Sequence, residues 1–168
     1  MSNDELFDVV NAQDEVIGVA PRSRVHAEGL RHRAAHVLVY DRAGQLFVQR
    51  RSFSKDNSPG LWDTSAAGHL ASGEDYADAA LRELEEELGV MPEAPLEALF
   101  RFDASAGTGQ EFVWVYRAVV GSALRPDPTE IIDGRWCTPE ALVDWRRRSP
   151  EAFTGTFLRI LDALALGG

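Results

Sequence analysis

The sequence has little of several features that define particular protein classes. Cys137 is the one cysteine among 168 residues, so no disulfide can form within the chain and a stapled secreted scaffold is excluded. No apolar run approaches the roughly 20 residues that a helix needs to cross a bilayer, so we expect no membrane partner. The first residues, MSNDELFDVV, lack the basic start and apolar stretch of a signal peptide, which favours a cytoplasmic protein.

Positive charge is also scarce. Lys and Arg number 17 against 27 Asp and Glu, which gives a formal net charge of -10 at pH 7. Few cations are left to neutralise phosphates, so we expect no nucleic-acid partner. If the ligand is a phosphorylated small molecule, a bound cation has to mediate between it and the protein.

The remaining composition is that of an ordinary globular protein, with 45% apolar and 26% charged residues. The chain has no internal repeat, low-complexity tract or long linker, so we expect residues 1–168 to form a single domain. We expect Cys137 to be a small buried side chain, and a reactive thiol is the alternative. The sequence specifies no oligomeric state.

Alternating apolar residues and turn signals predict a sheet. They indicate an N-terminal hairpin at about 5–20, a second hairpin over 34–51, paired strands at 97–105 and 110–120, and a short strand at 130–137. Helices are expected over 74–88, from Thr138 onward with Pro139 in the first turn, and near the C-terminal end. Ser72 and Asp75 are expected to form a capping box at the start of the middle helix, and Gly89 to end that helix.

Three glutamates form a strip on the predicted middle helix. Glu83, Glu86 and Glu87 are spaced i, i+3 and i+4, so they share one face. Like charges at these spacings destabilise a helix by a few tenths of a kcal/mol per pair, and the dipole near a helix end also disfavours anions. Mg²⁺ or Mn²⁺ would remove the repulsion, because carboxylate oxygens suit these cations. A solvated acidic face is the alternative interpretation.

The spacing of the whole segment 68–90 is more specific than the glutamates alone. Gly68 is followed after five residues by Glu74, and after seven more by the run RELEEELGV, which begins at Arg82. This pattern resembles the signature of the Nudix hydrolase family at every fixed position. The resemblance implies an α/β protein with a Nudix-type α/β/α sandwich and a mixed β-sheet.

The resemblance also implies a reaction. Nudix hydrolases cleave a diphosphate linked to another moiety, using Mg²⁺ and water. By resemblance, Glu83, Glu86 and Glu87 would bind the metal together with the Gly68 carbonyl. We therefore predict a Mg²⁺-dependent pyrophosphohydrolase, with Mn²⁺ as a possible substitute, that acts on a nucleoside 5'-di- or triphosphate or a related nucleoside diphosphate derivative.

Other members of the signature would support these ligands. Arg82 would hold Glu83 in place by a charge-assisted hydrogen bond, and Glu74 would brace the loop before the helix. The family places its general base at various positions, so the base stays open between the signature, where Glu83 and Glu86 lie, and Glu111 on a later strand. An exposed strand residue is the alternative interpretation of Glu111.

Cations and aromatic residues near the signature are candidates for substrate contacts. Arg50, Arg51 and Lys55 are interpreted as diphosphate ligands, with solvated surface as the alternative. Three aromatic residues could stack on a base, and core packing is the alternative for each of them. They are Phe53, Trp62 and Phe112.

The segment RRSFSKDNSPGLWDTSAAGH is similar to type I isopentenyl-diphosphate isomerase, a divergent branch of the same fold. In this comparison His26, His32 and His69 resemble metal-binding histidines, with exposed or core histidines as the alternative. Ala67 stands where the isomerase has its catalytic cysteine, and alanine can neither donate nor accept a proton. Hydrolysis is therefore favoured over isomerisation. A non-catalytic nucleotide sensor is a further alternative, against which the intact glutamates argue.

Overall fold

A computed structural model describes residues 4–166, so both ends of the predicted 1–168 unit lie outside the described residues. Nine strands and four α-helices are found in this part of the chain. The strands are β1 (Leu6–Val10), β2 (Val16–Pro21), β3 (His32–Tyr40), β4 (Leu46–Arg51), β5 (Trp62–Asp63), β6 (Ala66–His69), β7 (Glu97–Phe102), β8 (Glu111–Val119) and β9 (Ile131–Cys137). The helices are α1 (Arg22–Glu28), α2 (Tyr76–Leu88), α3 (Pro139–Arg148) and α4 (Gly155–Ala163).

The larger sheet is mixed, as predicted. Strands β3 and β8 run parallel, in a register that begins at His32 opposite Glu111, and the other pairs in the sheet are antiparallel. The order is β5-β4-β3-β8-β7, with β6 added to β3 and β9 added to β4. The predicted N-terminal hairpin is present as the antiparallel pair β1 and β2, which forms a separate two-stranded sheet.

The second predicted hairpin is correct only at its turn. Strands β3 and β4 pair at Tyr40 and Leu46, where the Asp41 side chain accepts hydrogen bonds from the turn, and then they diverge. Along the diverging parts, β6 pairs with β3 and β5 pairs with β4, while β9 pairs with the other edge of β4. The sheet therefore opens between β5 and β6, and the local turn signals do not predict these more distant pairings.

Helices cover both faces of the sheet, which confirms the α/β/α sandwich. Ala80, Leu84 and Leu88 of α2 are buried in the core on one face. On the other face, the core contains Leu142 of α3 and Phe157 of α4. Cys137 is buried in that second core, as expected, and burial raises the pKa of its thiol.

The expected capping box of α2 is wrong. The N-cap is Asp75, whose side chain accepts a hydrogen bond from the Asp78 amide. The Ser72 hydroxyl instead donates to Asp8 of β1 at 2.8 Å, a distant partner that sequence spacing does not reveal. The C-terminal prediction is confirmed, because Gly89 adopts the left-handed conformation with φ of 65°.

Helix α1 was not predicted, and it is short. The helix ends at Glu28, and its C-cap Gly29 is again in the left-handed conformation. His26 of this helix lines the cavity described below. Helix α3 begins as expected, since the Thr138 side chain accepts from the Ala141 amide. Within residues 4–166, no helix is both long enough and apolar enough to span a membrane.

Candidate active site

A cavity of about 890 Å³ lies at the opening of the sheet. Its walls come from α1, the loop 52–60, the end of β6, the glutamate strip of α2 and the turn 107–109 that leads into β8. Because the strands diverge, residues of α2 line a cleft that a continuous sheet would close. The three glutamates of the strip and two of the three candidate histidines, His26 and His69, line this cavity.

Arg82 is the centre of the signature's hydrogen-bond network. Its Nε and Nη2 each donate to Glu74 at 2.9 Å, and its Nη1 donates to Glu83 at 2.7 Å and to Glu86 at 3.2 Å. A further bond from Nη2 reaches the His69 carbonyl at 3.1 Å. Glu74 also accepts from the Ala71 amide, so it joins the loop to the helix. These contacts fix the glutamate strip relative to β6.

Glu83 and Glu87 are the two shielded members of the strip, whereas Glu86 is exposed. Burial raises the pKa of both carboxyls, and the neighbouring Glu83 charge raises that of Glu87 further. Gln49 of β4 is a neutral hydrogen-bond partner of Glu87. Its side-chain amide donates to the Glu87 carboxyl at 2.8 Å and to the Ser65 carbonyl at 3.0 Å. Burial and mutual repulsion disfavour the ionised form of these carboxyls. A bound divalent cation would offset this effect, and their oxygens are suitable ligands for it.

Gly68 gives the strip its close approach to the main chain. A methyl group at this position would overlap the Glu83 carboxylate, so glycine leaves that carboxylate in the place where Arg82 holds it. Gly68 lines the cavity together with the three glutamates, and a backbone carbonyl with carboxylate oxygens is the mixture of oxygen ligands that Mg²⁺ accepts. The residues present therefore fit the metal that the sequence resemblance implies.

Three histidines form a second cluster beside the strip. The ligand atoms of His26, His32 and His69 lie within 4.8 Å of one another, and the Phe7 ring packs against them. The His32 Nδ1 donates to the Leu30 carbonyl at 2.8 Å, so in the neutral ring Nε2 carries the lone pair. Within residues 4–166, this Nε2 is the one fully buried side-chain nitrogen or oxygen without a hydrogen-bond partner. The histidine cluster is thus also able to hold a metal.

Glu111 closes the histidine cluster from β8. Its carboxylate lies 2.7 Å from the His69 Nε2 and 3.3 Å from the His32 Nε2, and only the contact with His69 has the geometry of a hydrogen bond. Burial alone would raise the pKa of Glu111, but the two histidines outweigh it and hold the pKa below its usual range. Glu111 is therefore ionised at neutral pH, and its role as the general base stays a prediction.

The three predicted diphosphate ligands separate in the structure. Arg51 and Lys55 line the cavity, where Arg51 lies 3.4 Å from Asp63 and Lys55 pairs with Glu130. Arg50 is absent from the cavity lining that the described residues form. Its Nε donates to the Gly60 carbonyl at 2.8 Å, and its guanidinium lies over the Phe53 ring.

The three aromatic candidates also lie outside the cavity lining formed by residues 4–166. Trp62 packs against Trp145 in the core beneath α3, and Phe112 is buried under the Arg101 guanidinium. Phe53 is exposed on the loop. Core packing is thus the correct interpretation of Trp62 and Phe112.

Sequence reasoning missed a polar patch on the cavity floor. His36 of β3 and Asp63 of β5 both line the cavity, although each is more than nine-tenths buried. Thr64 and Thr154 are buried beside them and bond to them. The available signal was the alternation along β3, where His32 and His36 lie on one face and His36 interrupts the apolar run from Ala34 to Val39.

Comparisons with known proteins agree with this geometry. The NUDIX domain family matches residues 30–154, which include the glutamate strip. An isopentenyl-diphosphate Delta-isomerase of Serratia proteamaculans is 36% identical over 164 residues, covering 96% of this chain and 92% of the relative. An uncharacterized Nudix hydrolase of Pseudomonas aeruginosa is 39% identical over 149 residues, covering 89% of this chain and 88% of the relative.

A solved structure is similar over almost the whole chain. The crystal structure of DR0079 from Deinococcus radiodurans superposes with a TM-score of 0.82 at 33% identity, covering 95% of this chain and 98% of that one. The chain belongs to the Nudix hydrolase family of enzymes. This confirms the family that the signature predicted and the wider similarity to the isomerase branch.

Proposed function

We propose that this enzyme is a Mg²⁺-dependent pyrophosphohydrolase that cleaves a phosphoanhydride bond of a nucleoside 5'-di- or triphosphate, or of a related nucleoside diphosphate derivative. One observation carries the proposal: the glutamate strip, oriented by Arg82, lines a cavity that Arg51 and Lys55 also line. A metal-binding surface and a phosphate-binding surface thus enclose one space. In this proposal residues 1–168 act as one Nudix domain.

The bound metal, Mg²⁺ or Mn²⁺, would neutralise phosphate charge and make a water more acidic. Glu83, Glu86 and Glu87 would hold it, with the Gly68 carbonyl as a further ligand. Arg82 keeps Glu83 and Glu86 aligned during turnover, because one guanidinium nitrogen bonds to both carboxylates.

The protein's own cations would orient the substrate. Arg51 can offer two parallel N–H groups to the diphosphate, and Lys55 a point charge. A carboxylate then accepts the proton of the attacking water, which is general-base catalysis. Glu83 and Glu86 are candidates within the strip, and Glu111 is the candidate outside it.

A hydrolysis screen tests the proposal. Nucleoside di- and triphosphates, nucleotide sugars and dinucleoside polyphosphates are each incubated with the protein and Mg²⁺, with and without a chelator, and the release of nucleoside monophosphate and other products is followed by anion-exchange chromatography. We expect chelator-sensitive release from at least one nucleotide. Nucleotide binding without Mg²⁺-dependent release would instead support the sensor and refute the hydrolase.

A matched pair of variants links release to the strip. Glu86→Gln is expected to lower kcat at least about 100-fold, the scale of losing one group that acts in the transition state. Glu85→Gln is the control. Glu85 directly precedes Glu86 on the same helix, is exposed, and lies outside the cavity lining that the described residues form. Equal activity of the two variants would refute the assignment of the strip.

Isomerisation of isopentenyl diphosphate is the second candidate, favoured by the histidine cluster with Glu111 and by the isomerase-named relatives. Against it, Ala67 lies on the cavity wall and has no proton to exchange. We expect no isomerase activity in the unmodified protein, or in Ala67→Cys, by product analysis with Mg²⁺ and with Mn²⁺. Turnover of isopentenyl diphosphate by the unmodified protein would reverse the ranking.

A further inference from the structure

His36 occupies a position in the cavity that neither metal-binding cluster uses. It follows His32 and Ala34 on the same face of β3, and across the β3–β6 pairing it lies opposite Ala67. All three of Ala34, His36 and Ala67 line the cavity. The small alanine side chains on either side leave the imidazole accessible to a molecule in the cavity.

The imidazole is held in place through one nitrogen and is free at the other. Its Nδ1 lies 2.7 Å from the Thr64 hydroxyl, and Thr64 is completely buried. The ring makes no other side-chain hydrogen bond within residues 4–166, yet its Nε2 is not among the fully buried unpaired atoms there. A residue with only 6% of its surface exposed thus presents one unpaired nitrogen to the cavity.

The groups around His36 are polar and already paired. Asp63, which is 5% exposed, accepts from the Thr64 amide at 2.7 Å and from the Thr154 hydroxyl at 3.1 Å, and its carboxylate lies 3.4 Å from Arg51. Among these groups, the Nε2 of His36 is therefore the one that needs a partner from the ligand. An apolar chain would leave this nitrogen unpaired, a loss of the kind that lets polar sites reject apolar analogues strongly.

We propose that His36 is a specificity-determining residue whose Nε2 forms a hydrogen bond with the nucleoside part of the substrate, while the glutamate strip and Arg51 act on the diphosphate. This rests on the proposed function and adds to it the residue that contacts the nucleoside, whose base and ribose both have hydrogen-bonding edges. Prenyl diphosphates lack such an edge.

The test compares a substrate that has a nucleoside with a ligand that has none. The four common ribonucleoside diphosphates serve as substrates, and inorganic tripolyphosphate serves as a nucleoside-free inhibitor. For His36→Leu, we expect kcat/KM of the best nucleoside diphosphate to fall about tenfold, the scale of one neutral hydrogen bond. The inhibition constant of tripolyphosphate is expected to stay unchanged.

Conservative replacement separates recognition from packing. His36→Gln places an amide near the position of Nε2, so we expect it to retain most of the selectivity that His36→Leu loses. Thermal unfolding of both variants at pH 8 checks the fold. An equal loss for tripolyphosphate, an unchanged kcat/KM in His36→Leu, or an equal loss in both variants would overturn the proposal. A loss confined to some bases places the contact on the base, and an equal loss for all four places it on the ribose.

Failure of the proposed function has a different signature. If the unmodified protein hydrolyses none of the compounds in the screen above, hydrolysis is refuted, and the role of His36 is then tested by calorimetric binding of the four nucleoside diphosphates. Binding that His36→Leu weakens would support the contact. No binding, or equal binding by both proteins, would overturn it.

Discussion

The Glu83 carboxylate fills the space beside Gly68 in which any other residue would place its Cβ. The contact joins α2 to β6 at the point where the predicted metal ligands meet. Since Glu83 is also fixed by Arg82 at 2.7 Å, it has little freedom to move aside. A functional side chain and a structural glycine thus determine each other's position.

A Gly68→Ala substitution is expected to displace the Glu83 carboxylate and lower kcat about 100-fold, because small misplacements of reacting groups have effects of this order. Steady-state kinetics with a substrate from the screen measure it. Gly18→Ala is the matched control, because a Cβ at Gly18 meets no atom within 4 Å. Full activity of Gly68→Ala would contradict the role of the close approach.

The separation of Arg50 and Arg51 gives a second prediction. Arg51→Ala is expected to raise KM about tenfold, because it removes a cation from the cavity wall. Arg50→Ala is expected to leave KM unchanged, because its guanidinium lies on Phe53 and Gly60 instead. The test measures KM of both variants for the same nucleotide. A larger rise in KM for Arg50→Ala than for Arg51→Ala would contradict the placement of these side chains.

Metal binding should be visible in stability as well as in turnover. If Mg²⁺ is present at 100 times its Kd, linkage gives about 2.7 kcal/mol of stabilisation, or roughly 5–10 °C in Tm for a chain of this size. In Glu87→Gln we expect a much smaller rise. Thermal unfolding at pH 8 with Mg²⁺ and with chelator provides both values.

The same variant has a predictable stability without metal. Burial and the Glu83 charge raise the pKa of Glu87, so ionisation above the unfolded-state pKa costs folding free energy. Metal-free Glu87→Gln is therefore expected to unfold at a higher temperature than the unmodified protein at pH 8, and this difference should shrink toward pH 4. A lower Tm for the variant at pH 8 would contradict the repulsion.

His36 predicts an acid-side loss of stability. Burial lowers its pKa below the ordinary 6.5, so the unfolded chain binds a proton more readily than the folded one. The contribution of His36 is present above pH 6.5 and falls as the pH drops, by at most about 1.4 kcal/mol per pH unit. Urea unfolding between pH 7 and 5 should show a smaller loss for His36→Gln than for the unmodified protein.

The sequence predicted α2 well, because its signals are local. Helical spacing placed Glu83, Glu86 and Glu87 on one face, and Gly89 marked the helix end. The predicted capping box is wrong because Ser72 bonds to Asp8, which precedes it by 64 residues. No pattern within the segment 68–90 contains that competing partner.

The substrate side of the cavity was harder to predict. Arg50 and Arg51 are adjacent, and a shift of register in the β4–β9 pairing falls between them, so spacing alone does not decide which one faces the cavity. His36 and Asp63 are buried residues on strands of the sheet. The sequence shows that they are polar, but it does not show whether they face a cavity or are paired within the core. Their accessibility depends on the divergence of β3 and β4, which is a property of the assembled sheet.

The parallel register of β3 and β8 links the histidine cluster to the folding of the chain. Glu111 reaches His32 only when two strands far apart in sequence align, and a slip by one residue would turn its carboxylate to the opposite face. The contact of Glu83 with Gly68 closes a shorter loop, since β6 ends at His69 and α2 begins at Tyr76, although Glu87 also bonds to Gln49, 38 residues away. Placing Glu83 beside Gly68 therefore costs less loop-closure entropy than bringing Glu111 to the histidine cluster.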